Sequence, residues 1–218
     1  MIAEGQVGPV VRGDGSYGEL RMDKTGAVVV TDGHARYAEA ASRGTVFSLN
    51  LVATSTGVAA GNIVGAAAAA ATQFALLNPL TSGKNLVLLR FGMGVISGTP
   101  GPGPVFHGYI PNISTITAAS PGGTVRNNLL GGGAASIATP WALAAGSALT
   151  GGQAPVTHSV ADFSSTATAQ ASVGELKAVE LIDGAIVVPP GSGWLPLWGA
   201  AGTALLNAYS ITWEETAV

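Results

Sequence analysis

The stretch from Asp183 to Glu214 constrains the fold of this chain more than any other. Three short apolar runs, Ala185 to Val188, Trp194 to Trp198 and Leu205 to Trp213, are separated by Pro189-Pro190-Gly191-Ser192-Gly193 and by Gly199-Ala200-Ala201-Gly202. Both separators have turn composition, because proline presets φ and glycine reaches positive φ at no steric cost. The spacing predicts a strand meander. In the last run Tyr209, Ile211 and Trp213 alternate with Ala208, Ser210 and Thr212, which is the two-residue period of a strand with one buried face. Trp194, Trp198 and Trp213 are three of the four tryptophans, and each buries on the order of 150–250 Å2. In a chain with only 6% aromatic residues, this stretch is the expected centre of the core.

Upstream, the same reading predicts strands at Thr45 to Thr56, Gln73 to Leu77, Leu86 to Ile96, Val105 to Ile110 and Ser172 to Ile182. Leu86 to Phe91 is apolar on both faces apart from Arg90, so it belongs at the centre of a sheet. His34 to Arg43 carries good helix formers and ends at Gly44, while the alanines from Ala66 to Ala71 suit a loop or a short helix. Residues 111 to 155 are rich in Gly, Ala, Ser, Thr and Asn and predict a long excursion. Strands and turns at this spacing favour an all-β fold, a jelly-roll-like β-sandwich. The expected division is an N-terminal segment at 1–43, with a small hairpin and a short helix, and a sandwich at 44–218. Residues 1–43 are either an extended arm lying on a neighbouring subunit or the first strand pair of the sandwich.

Charge separates these two parts. Residues 1 to 43 hold eleven of the twenty-one charged residues, whereas Gly44 to Ala161 hold only Lys84, Arg90 and Arg126. More than a hundred residues with three charges leave much weakly polar surface, which is expected to be buried against other chains. The net charge of −3 and the lack of a basic cluster argue against nucleic-acid binding. There is no cysteine, so thiolate chemistry and disulfides are excluded. The N-terminus lacks the charged start and apolar run of a secretory signal. Gly57 to Leu77 has the length of a membrane span but is mostly Ala and Gly, with polar residues inside and no flanking positive charges, so no membrane role is expected.

No catalytic constellation emerges. His34, His107 and His158 are far apart, and each reads as a surface or satisfied core histidine rather than a metal ligand. No serine sits in a Gly-x-Ser-x-Gly elbow. Gly83-Lys84 lacks the earlier glycine and the following Ser or Thr of a phosphate loop. Glu214 and Glu215, adjacent on a strand, point to opposite faces and cannot share a site; they read as a solvated strand end. Arg12-Gly13-Asp14 spells an adhesion tripeptide but also suits a turn. Asn112-Ile113-Ser114 is a glycosylation sequon that matters only on a secretory route. Asn127-Asn128 and Gly131-Gly132-Gly133 have flexible-loop composition and mark at most a contact surface. No cofactor-binding or metal-binding residue is expected.

Three blocks carry a family resemblance: Gly15 to Asn50, Phe74 to Val95, and the closing stretch through Trp194, Trp198 and Trp213. They resemble structural proteins of tailed bacterial viruses that build jelly-roll or related β-sandwich subunits on the capsid or tail. The resemblance implies a capsid decoration (cement) protein, a homotrimer located in the virion after assembly in the bacterial cytoplasm, whose N-terminal part contacts the major capsid protein. It implies no enzyme. Within that part, the segment Arg12 to Arg43 holds the mixed charges that suit an interface with a defined register, and Arg12, Arg21, Lys24, Arg36 and Arg43 are the expected capsid contacts. Two alternatives are a tail or fibre component contacting a host receptor and a carbohydrate-binding β-sandwich that stacks sugars on Trp141 or Tyr109.

Overall fold

A computed structural model of the chain describes residues 36–51, 58–59, 74–99, 103–113, 120–121, 123–142, 154–163, 177–199 and 203–218. The chain divides into two compact units, Met1–Glu39 and Ala40–Val218, and nearly all the described residues belong to the second. One short helix, α1 (Ala38–Ser42), precedes β1 (Val46–Leu51), β2 (Val58–Ala59), β3 (Phe74–Leu77), β4 (Lys84–Thr99) and β5 (Gly103–Ile110). Then follow β6 (Ser120–Pro121), β7 (Val125–Asn127), β8 (Thr139–Ala142), β9 (Ala154–Phe163), β10 (Lys177–Val188), β11 (Gly193–Trp198) and β12 (Thr203–Ala217). The all-β expectation holds. The helix expected over His34 to Arg43 spans five residues, starting at Ala38 after a turn at Arg36 and Tyr37 and ending, as expected, before Gly44 at φ 71°. The alanine run at 66–71 and the hairpin expected around Lys24 lie outside the described residues.

The strands form two antiparallel sheets. Sheet 1 has the order β10-β4-β12-β1-β7, with β2 also on β12, and sheet 2 has the order β6-β8-β3-β11-β5-β9. The pairings nest: β1 pairs with β12, β3 with β11, β4 with β10 and β5 with β9. The predicted meander is therefore wrong. Consecutive strands β10, β11 and β12 alternate between sheets, since the turns between them carry the chain across the core instead of back along one edge. Asn78 fixes two of these crossings to each other. Its side-chain amide donates to the carbonyls of Lys84 (2.7 Å) and Val188 (2.8 Å), and its backbone exchanges bonds with Gly191 and Ser192. Ala185 to Val188 is not a separate strand either. It is the end of β10, whose register shifts between Leu181 and Ile186 around Asp183 and Gly184, both at positive φ.

The described part of the middle of the chain adds strands to both sheets, where a long excursion was expected. β7 extends sheet 1 beside β1, and β8 and β6 extend sheet 2 beyond β3. Sequence missed these strands because they are two to four residues long and lack bulky alternation.

The sheets share one core. Phe47 and Leu49 of β1, Leu88 and Phe91 of β4, and Tyr209, Ile211 and Trp213 of β12 meet Phe74, Leu76, Val105, Trp194 and Trp198 of sheet 2. The Trp194, Trp198 and Trp213 cluster expected from sequence is at its centre, each ring 1% exposed or less. Across the sheets, Phe91 meets Trp194 edge-on at 5.3 Å and Phe74 stacks on Tyr209 at 6.0 Å. The Trp198 indole donates to the Tyr209 hydroxyl at 3.1 Å, so these two rings use their polar atoms as well as their area, whereas the buried Trp213 indole nitrogen has no hydrogen-bond partner among the described residues. β11 is buried on both faces. Its other face, Leu195 and Leu197, packs with Ala75, Leu77 and Ile110. Gly108 makes room for this layer, because a Cβ there would lie 2.5 Å from Leu197.

Candidate interaction surfaces and a buried polar relay

Of the five expected capsid contacts, Arg12, Arg21 and Lys24 lie outside the described residues. Arg36 is exposed in the turn before α1, and Arg43 is exposed in the turn that ends it.

The chemistry with the most defined geometry is inside the sandwich. His107 on β5 is 1% exposed. Its Nδ1 lies 3.1 Å from the Trp194 indole nitrogen, and its Nε2 lies 2.9 Å from a Glu180 carboxylate oxygen. An indole N–H can only donate, so Nδ1 accepts, and the ring proton therefore sits on Nε2 and is donated to Glu180. Phe91 packs edge-on against the ring at 5.6 Å. The relay Trp194–His107–Glu180 ties β11 and β5 of sheet 2 to β10 of sheet 1. Although the carboxylate orients the imidazole as in a nucleophile-activating pair, both ring nitrogens are committed. The relay is a buckle between sheets, in keeping with the reading of a satisfied core histidine. His34 lies outside the described residues, and His158 sits on β9 opposite Phe106.

A second polar hub closes one end of the sheets. The Glu215 side chain is fully buried. It accepts from Ser136 Oγ (2.6 Å), the Ile137 amide (2.9 Å) and Lys84 Nζ (3.1 Å). The solvated strand end expected for Glu214-Glu215 is thus half wrong. The two do face opposite ways, but a loop packs over Glu215. That loop, residues 128–138, is also held by Asn127, whose side chain donates to Gly44 O (2.8 Å) and Ala134 O (3.0 Å) and accepts from the Leu129 amide (2.8 Å). Leu130 stands at its outer end, 88% exposed. Arg126, Leu129, Leu130 and Ser136 border an open cleft of about 480 Å3 beside β7.

The outer face of sheet 1 carries a row of side chains in cross-strand register. Leu181 lies opposite Arg90, Arg90 opposite Thr212, Thr212 opposite Ser48, and Ser48 opposite Arg126. Directly opposed residues project from the same face. Arg90, Arg126 and Leu181 are exposed, and the Ser48 and Thr212 hydroxyls bond each other at 3.1 Å. Neither Arg90 nor Arg126 has an ion pair among the described residues. Sequence reasoning passed over both arginines. The available signal was that they are, with Lys84, the only cations between Gly44 and Ala161.

Among the described residues there is no group of three or more His, Cys, Asp or Glu placed to hold a metal ion, and no helix is long and apolar enough to cross a membrane. No family model, curated protein or solved structure matches the chain.

Proposed function

We propose that this chain is a structural virion protein with a jelly-roll fold, a capsid decoration protein that binds the assembled shell of a tailed bacterial virus. The observation that carries this reading is the nested strand pairing. Order β1-β12-β4-β10 opposite β3-β11-β5-β9 fits eight strands wound as two Greek keys, the double-sheet jelly roll found in viral capsid and lectin domains. The scarcity of charge after residue 43 supports a protein whose weakly polar surface is covered by neighbours, here in a homotrimer.

The mechanism is mass action without catalysis. A protein that binds only the closed shell stabilises it in proportion to occupancy. Arg12, Arg21, Lys24, Arg36 and Arg43 are the proposed contacts with the major capsid protein. Light scattering on the purified chain, with and without empty capsids, tests this: a trimer that co-sediments with capsids is expected. A monomer that ignores them overturns the reading. Deleting residues 1–43 is expected to abolish co-sedimentation while leaving a folded oligomer. Of the alternatives, a sugar-binding sandwich is supported by the exposure of Tyr109, 36%, and a reproducible glycan-array hit would favour it. A tail or fibre component would instead bind host cells.

A further inference from the structure

We propose that the outer face of sheet 1 docks onto an acidic protein surface, with Arg90 and Arg126 as its cationic contacts and Leu181 as its apolar one. The row Leu181, Arg90, Thr212, Ser48, Arg126 runs straight across five strands. Three strand spacings separate the arginines, about 14 Å, and only the short side chains of Thr212 and Ser48 stand between them. The two hydroxyls bond each other, so covering them leaves one O–H, which an acceptor on the acidic partner can take. The two guanidiniums have no carboxylate partner among the described residues, and each presents a fork that matches a carboxylate.

Other occupants fit less well. A nucleic acid needs several cations on one face, and here there are two, beside exposed Val179 and Leu181 on β10, in a protein of net charge −3. A second copy packed through the same face by a two-fold axis would set guanidinium against guanidinium, which like-charge repulsion opposes. A protein surface carrying carboxylates and an apolar neighbour satisfies both halves of the row.

The proposal is independent of the decoration reading, under which the acidic surface would belong to the shell. It is tested with fluorescent poly-L-glutamate, and in parallel with a short DNA duplex, by anisotropy at low and high salt. The full chain is expected to bind poly-glutamate at low salt and to lose it as screening rises. Arg90→Glu with Arg126→Glu is expected to weaken binding by about tenfold or more, while Thr81→Glu, at an exposed turn position after β3, leaves it within about twofold. Should the double reversal fail to fold, Arg90→Gln with Arg126→Gln removes the charges more gently and is expected to weaken binding in the same direction. Unchanged binding by a folded variant, no binding by the unmodified chain at low salt, or tighter binding to the duplex overturns the proposal. Failure here leaves capsid co-sedimentation untouched, and the converse also holds.

Discussion

Glu214 and Glu215 are chemically identical neighbours with opposite fates. Glu214 points outward and is half-buried, its nearest donor being the Thr45 hydroxyl at 3.4 Å. Glu215 is buried and takes three donors. Removing a buried acceptor strands its donors, so Glu215→Ala is expected to cost about 2–4 kcal/mol, seen as a fall in the urea midpoint at constant slope. Glu214→Ala is expected to stay within about 0.5 kcal/mol. The opposite directions of the two were legible from the strand period. The depth of Glu215 was not, because Ser136 and Ile137 reach it from almost eighty residues away. His107 shows the same limit. Its character as a satisfied core residue could be read, but not that Trp194 and Glu180 would be its partners. Trp194→Phe keeps a ring there and removes only the donor to Nδ1, an expected loss of about 1–3 kcal/mol. A double-mutant cycle with His107→Leu is expected to show coupling of about 0.5–3 kcal/mol; strict additivity would mean that the relay does not act as a unit.

At the level of elements, apolar runs were readable and their partners were not. The alternation in β12 correctly put Tyr209, Ile211 and Trp213 on a core face, because burial of one face imposes a period of two. What remained hidden was register: Ser48 and Thr212 read as separate polar positions, and only their pairing lines Arg90 and Arg126 up in one row. The loop after β7 was misread for a related reason. Its glycines suggest mobility, yet Gly133 is required by close packing, since a Cβ there would lie 2.1 Å from the Asn127 carboxamide. Gly133→Ala is therefore expected to displace the loop and cost about 1–3 kcal/mol, measured by thermal melting. In an Asn127→Ala background the same change is expected to be nearly neutral, because the obstructing group is gone. An equal cost in both backgrounds would place the strain elsewhere.

For the molecule as a whole, the nesting of the first described strand with the last, β1 with β12, dominates. Contacts between residues far apart in sequence must close large loops before they stabilise anything, so refolding of this sandwich is expected on the millisecond-to-second scale in stopped-flow fluorescence of its buried tryptophans. β12 lies between β1 and β4 and is, among the described strands, the one through which the two halves of sheet 1 meet. Deleting residues 203–218 is expected to abolish cooperative unfolding altogether, not merely to shift its midpoint. The same placement has a consequence for how the protein is made. A ribosome that has emitted eleven of the twelve described strands still holds a chain whose two sheet halves have no bond between them. A copy that stalls or is cut before β12 therefore has no native sandwich to present, and every copy able to offer the Arg90–Arg126 face has been translated through β12.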